Sequence, residues 1–347
     1  MQKTITKLPK SQMSIKVSLP AELFESYRAK AVAHAAEHIE IPGFRKGKAP
    51  VHMVEAKLVP MAVLEEMADL AVNDHFPKIL VEEKIDAIGR PAVEITKLAK
   101  DNPLEFTITV AVMPETKLPD YKKLAAAENA KTADVSVTDE ELTEAIKELK
   151  KRREHDRIHR SGEEHDHNEF ESREFTADLT DEEAKQFGPF ESADAFREKY
   201  RENIKLEKEG MELQKRRIAI LEAIAAGTET EVPDVLAESE LEQLIARLKA
   251  DIAQAGISFE DYLNHIKKSE ADLRNDLAPD AEKRAKMELI MAEIAKREEI
   301  KLDEETVENE TKRLIQTYQD ADPLRARAYV THLLMNEEIF KFLEAQK

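Results

Sequence analysis

The chain has 347 residues, enough for two or three domains. With 36% charged residues, 5% aromatics, no Trp and eight glycines, it suits extended, mostly helical units with thin cores better than one large globule. A formal net charge of -19 excludes general binding of nucleic acid by the whole surface, and the absence of Cys excludes disulfides and thiolate chemistry.

Met1 to Pro20 holds no continuous apolar run, so no signal peptide is expected there. No stretch approaches the roughly 20 apolar residues of a membrane span. The expected location is the cytoplasm, with no membrane partner. Ile15, Val17 and Leu19 alternate with polar residues, the period of a half-buried strand that Pro20 ends. From Ala21 to about His38 the period becomes helical, with Leu23, Phe24, Tyr27, Ala31 and Ala35 on one face.

Ile41-Pro42-Gly43-Phe44-Arg45-Lys46-Gly47-Lys48-Ala49-Pro50 follows. Pro42 and Pro50 forbid a helix through this stretch, and Gly43 and Gly47 permit a tight turn. Phe44 stands among Arg45, Lys46 and Lys48, in a loop that cannot be core. A presented aromatic beside clustered cations suits an anionic surface, although solvated cations on an ordinary inter-helix loop give the same composition. Val51 to Leu58 reads as a short helix and Met61 to about Glu83 as a longer one, which Pro77 should kink or end.

Ala92 to Leu98 and the alternating Phe106, Ile108, Val110 and Val112 predict two strands around the turn residues Asp101-Asn102-Pro103. The order implies an α+β domain, residues 1–115, with helices on one face of a small antiparallel sheet and a helix-loop-helix tip. Gly43-Phe44-Arg45-Lys46-Gly47-Lys48-Ala49-Pro50 resembles the ribosome-binding signature of trigger factor, the bacterial chaperone of the ribosomal exit tunnel. The resemblance implies that Gly43, Phe44, Arg45, Lys46, Gly47 and Lys48 dock on large-subunit protein and rRNA near the tunnel exit.

Met113 to Asn129 contains proline and little periodicity, and reads as an extended connector. Thr138-Asp139-Glu140-Glu141 is a capping box opening a helix to about Arg157. His155 to Arg173 carries His155, His159, His165 and His167 among charges. His155 and His159 stand at i, i+4, so a zinc site could be drawn, but the expectation is a charged linker with incidental histidines and no metal. Trigger factors usually place an FKBP-like prolyl isomerase domain here, which needs roughly a hundred strand-rich residues around a pocket. The polar run is too short for it, so residues 116–175 are expected to be connector and linker, and no isomerase activity is implied.

Residues 176–347 read as an all-α, multi-helix client-binding domain. A first helix carries Phe196, Tyr200, Ile204, Met211, Ile218, Leu221 and Ile224 and stops at Gly227. Val232-Pro233 opens the next, with Leu241, Leu244, Ile245, Leu248 and Ile252 in helical period. A short helix from Ser258 holds Tyr262, Leu273 to Pro279 punctuates, and a long helix carries Met287, Ile290, Met291 and Ile294. Leu302 to Tyr318 and Tyr329 to Phe342 complete the series. Val232 to Leu263, Asp280 to Glu298 and Lys301 to Tyr318 resemble the helical arms of trigger factor.

Leu241, Leu244, Leu248, Tyr262, Met287, Ile290, Met291 and Ile294 are the candidate client-binding residues; thin helical cores would use the same apolar positions for packing. No nucleophile elbow or P-loop is present, and the carboxylates fall at helical spacing from Lys and Arg as on a solvated face. The expected protein is therefore not an enzyme. It is an ATP-independent ribosome-associated chaperone with no cofactor, whose partners are the ribosome, nascent and unfolded chains and a possible second copy of itself. The alternatives are a free peptide-binding chaperone related to periplasmic helical chaperones, and a divergent prolyl isomerase.

Overall fold

The computed structural model describes residues 1–38, 59–131, 133–161, 170, 173–318 and 320–347. They form two compact units: residues 1–119 with 227–299, and residues 120–226 with 300–347.

The first unit opens with β1 (Gln2–Leu8) and β2 (Gln12–Leu19), then α1 (Ala21–Glu25), α2 (Arg28–His38), α3 (Pro60–Glu82), β3 (Ala87–Lys97) and β4 (Leu104–Val112). The four strands form one antiparallel sheet in the order β1-β2-β4-β3. Register places Ile5 opposite Ile15, Ile15 opposite Ile108 and Ile108 opposite Val93. The period of two therefore puts Ile15, Val17 and Leu19 on the same face as Leu104, Phe106, Ile108 and Val110, and all seven are buried. The helices cover this face with Phe24, Tyr27, Val32, Leu64, Met67 and Ile79, among others.

Two readings change here. β1 is an extra strand, since Gln2 to Leu8 is an exposed edge whose few apolar residues leave no clear pattern. The helix from Ala21 breaks at Ser26, whose hydroxyl donates to Leu23 O at 2.6 Å. Of the two outcomes expected at Pro77, the helix does not end there: Pro77 lies inside α3, and Ile79 beyond it is fully buried, so packing outweighs the lost backbone bond.

The same unit includes α8 (Asp234–Gln254), α9 (Phe259–Ile266) and α10 (Glu270–Arg297). Leu241, Ile245 and Ala281 form the core between α8 and α10, with Leu244 and Leu277 against it. Pro279 sits within α10, which therefore starts at the Ser269 capping box and not beyond the proline. This hairpin joins the sheet by paired backbone bonds between Lys117 and Glu229, at 3.0 and 3.1 Å. Ser11 N also donates to Glu231 Oε2 at 3.1 Å, and Lys10 pairs with Asp234 at 2.7 Å.

The second unit holds α4 (Tyr121–Asn129), α5 (Asp139–Ser161), α6 (Asp181–Gln186), α7 (Ala193–Gly227, its last residue in the first unit), α11 (Glu304–Thr317) and α12 (Pro323–Glu344). α4 corrects the reading of Met113 to Asn129 as extended. Asp120 accepts from Lys123 N at 3.2 Å, and Tyr121 and Ala125 are buried. The capping box at Thr138 is present: Glu141 N donates to Thr138 Oγ1 at 3.1 Å, and Thr138 N to Glu141 Oε2 at 2.9 Å. α5 extends past Arg157 to Ser161, so His155 and His159 are helical. Its Leu142 and Ile146 share a core with Ala184 and Phe196. Phe187, Phe190 and Tyr200 surround Phe196 at ring-centroid distances of 5.2, 5.2 and 5.3 Å.

Candidate functional site

The basic motif Gly43, Phe44, Arg45, Lys46, Gly47 and Lys48 lies outside the described residues, as does the predicted helix Val51 to Leu58. Its bracket is defined. α2 leads into it and α3 leads out, and the two pack against each other over the sheet. Tyr27, just before α2, donates its hydroxyl to Asp74 Oδ2 of α3 at 2.8 Å, and His75 Nε2 lies 3.2 Å from the Tyr27 hydroxyl oxygen. Burial and then the Asp74 carboxylate push the Tyr27 phenol up to about 12, so it stays a donor at any physiological pH. Burial also lowers His75, which favours the neutral ring beside the phenol. Nearer the motif, His34 Nδ1 of α2 stands 2.7 Å from Glu66 Oε1 of α3.

The candidate client positions divide by burial. Leu241, Met291, Ile290 and Ile294 are 6%, 4%, 0% and 0% exposed, so here they are buried and present almost no surface. Leu244, Leu248, Tyr262 and Met287 are half-buried. Tyr262 stacks with Phe259 at 6.5 Å, and Lys249 Nζ lies 4.6 Å from the Phe259 ring, so α9 presents a small aromatic platform.

A groove that periodicity alone did not single out lies between α11 and α12. Its volume is about 280 Å³, and its apolar walls are Leu314, Tyr329, Val330, Leu333 and Leu334, with Glu310, Arg313 and Thr317 at the margin. Val330 is buried, whereas Tyr329 and Leu333 are 59% and 52% exposed. The sequence signal was an excess: Leu314 with Tyr318 and Tyr329 with Leu333 stand at i, i+4, more apolar surface than a helix hairpin needs for its own contact. Such a groove can take apolar side chains of an extended or helical segment, with polar groups only at its edge. Among the described residues no helix is long and apolar enough to cross a membrane, and no group of three or more His, Asp or Glu is arranged to hold a metal.

Comparison with known proteins agrees with this architecture. Residues 1–149 match the family model for bacterial trigger factor protein, and residues 192–342 match the model for the trigger factor C-terminus. No FKBP-like domain family is found. The chain is 26% identical to the trigger factor of Trichodesmium erythraeum, over 99% of this chain and 88% of that one. That alignment runs over 432 positions, more than the chain has residues, so the relative carries stretches with no counterpart here. The Clostridium kluyveri trigger factor is 21% identical over 97% of each chain, and the Rhodococcus opacus protein is 35% identical over 44% of this chain and 32% of its own. Among solved structures, one from work on promiscuous substrate recognition in folding and assembly by the trigger factor chaperone superimposes with a TM-score of 0.53. It covers 99% of this chain and 97% of that one at 18% identity, a likeness of fold. With both halves matched by models of one family, and its α+β and helical parts in that family's order, the chain belongs to the trigger factor family.

Proposed function

We propose that the protein is an ATP-independent, ribosome-associated chaperone that binds nascent or unfolded chains near the exit tunnel in the cytoplasm. The observation that carries this reading is the basic motif at 43–50, placed between two helices of a domain matched to the trigger factor N-terminus. In this reading residues 1–115 dock on the ribosome, with Arg45, Lys46 and Lys48 against phosphates or acidic side chains and Phe44 in an apolar niche. Residues 176–347 hold the client. The half-buried Leu244, Leu248, Tyr262 and Met287 contribute, as does the groove of Leu314, Tyr329 and Leu333, and the buried Leu241, Ile290, Met291 and Ile294 complete the candidate set. Residues 116–175 stand in place of an isomerase domain. The stretch between the two family matches, residues 150–191, is far shorter than such a domain, which supports a chaperone without isomerase activity. Self-association of the free protein into a dimer fits the same reading.

Co-sedimentation with purified ribosomes tests the docking site. Replacing Phe44, Arg45 and Lys46 by alanine is expected to abolish retention while the circular dichroism spectrum stays unchanged. Retention equal to wild type would refute the assignment. A free peptide-binding chaperone would bind clients but leave ribosomes in the supernatant with or without the substitutions. Turnover of a proline-containing peptide above background would restore the isomerase reading.

A further inference from the structure

The histidine pair on α5 stands outside the chaperone function. His155 and His159 are one helical turn apart, with their Nε2 atoms 3.2 Å from each other and their ring centroids 4.3 Å apart. Two nitrogens bound at about 2.0–2.1 Å to one tetrahedral zinc ion stand about 3.3–3.4 Å apart. The pair thus already holds nearly the bite of a chelate, the i, i+4 arrangement by which one helix face offers two imidazoles to one metal. Without metal, the same approach is satisfied by one neutral imidazole donating N–H to the other.

The surroundings favour this bite. His155 is half-buried, and its ring packs 5.2 Å from that of Phe170, which is 3% exposed, so one ligand rotamer is fixed by packing. His159 is exposed and can close on an ion from solvent. Ile158, between them in sequence, is buried and sets which face of α5 turns inward. Imidazole pairs select borderline divalent transition metals over calcium or magnesium, which prefer oxygen.

We propose that His155 and His159 form a bidentate site for a divalent transition-metal cation of the zinc, nickel or copper class. The site is open. In this proposal two imidazoles come from this helix, and the other coordination positions are left to water or to further donors. It therefore suits exchangeable capture rather than a structural cage.

Calorimetric titration of the full chain with zinc chloride in chelator-free buffer tests the site. The expected result is one saturable site in the wild type, its loss in H155A/H159A, and its retention in H165A/H167A. One equivalent of zinc should also shift the imidazole NMR signals of two histidines together, and only in proteins that keep both. Both substituted side chains lie at or near the surface, and an unchanged circular dichroism spectrum checks that the helix persists. Absence of saturable binding in the wild type, binding that survives H155A/H159A, or binding that disappears in H165A/H167A would each overturn the proposal.

Discussion

At the scale of single residues, two positions carry more than their neighbours. Gly89 adopts φ +71°, and a Cβ there would stand 2.8 Å from Val235 Cγ2 at the start of α8. Gly89→Ala therefore combines left-handed strain with a clash, and is expected to destabilise the first unit by about 1–2 kcal/mol. Val235→Ala should relieve the clash but not the strain. The double variant should accordingly recover part of the loss in denaturant titrations, and strictly additive effects would show that the contact is unimportant. Arg217 is the second position. It is largely buried on α7, donates to both Glu337 oxygens at 2.8 and 2.9 Å and to Glu344 at 2.6 Å, and lies 4.9 Å from the Phe340 ring. Arg217→Ala is expected to cost about 2–3 kcal/mol, less than a fully buried pair because Glu337 can rehydrate. The Arg217 guanidinium holds the Glu337 carboxyl below its usual range. Its contribution is thus present above the ordinary glutamate value of about 4.3 and lost as pH falls through the lowered one. Hydrogen exchange of α12 amides should show the gap between wild type and Arg217→Ala narrowing as pH drops below about 4.

At the scale of elements, the pair α11 and α12 combines a packed seam with an apolar excess. Leu333 is half-exposed in the groove, so Leu333→Asp should leave helicity intact while removing apolar surface from any bound segment. Loss of one apolar contact of this size is worth about 1.5 kcal/mol, or roughly tenfold in affinity. Fluorescence anisotropy of a labelled unfolded client measures it, and undiminished affinity would remove the groove from the client surface. The long helices also show where local rules yield. α3 and α10 run through Pro77 and Pro279, because Ile79 on one and Ala281 on the other are buried just beyond the ring. Losing one backbone hydrogen bond costs less than unpacking those faces.

At the scale of the whole molecule, charge distribution is the governing feature. The chain carries 72 acidic against 53 basic residues, yet the 43–50 stretch holds three cations and no acid. In the proposed reading, attachment through that stretch to an rRNA-rich surface should be strongly salt-sensitive, because phosphate contacts release counterions. Raising salt from about 50 to 200 mM should lower ribosome retention severalfold or more, and retention indifferent to salt would point to a purely apolar contact. Ion pairs spread over the helices, such as Arg274 with Glu238 and Glu242, neutralise charge locally without removing the net excess.

The amino-acid sequence by itself determined β2, β4, most of the long helices, the capping box at Thr138 and the stop at Gly227, because each depends on neighbours within a few residues. The composition likewise determined thin, helix-rich units. Only the tertiary structure decided that residues 227–299 belong with the sheet domain, since Lys117 with Glu229 and Lys10 with Asp234 are bonds between distant parts of the chain. It also separated buried Ile290 and Ile294 from exposed Tyr329 and Leu333, which the helical period alone treats alike. An apolar stripe specifies a face to be covered; how much of it is covered depends on the length and angle of the partner helix, and no local pattern encodes those.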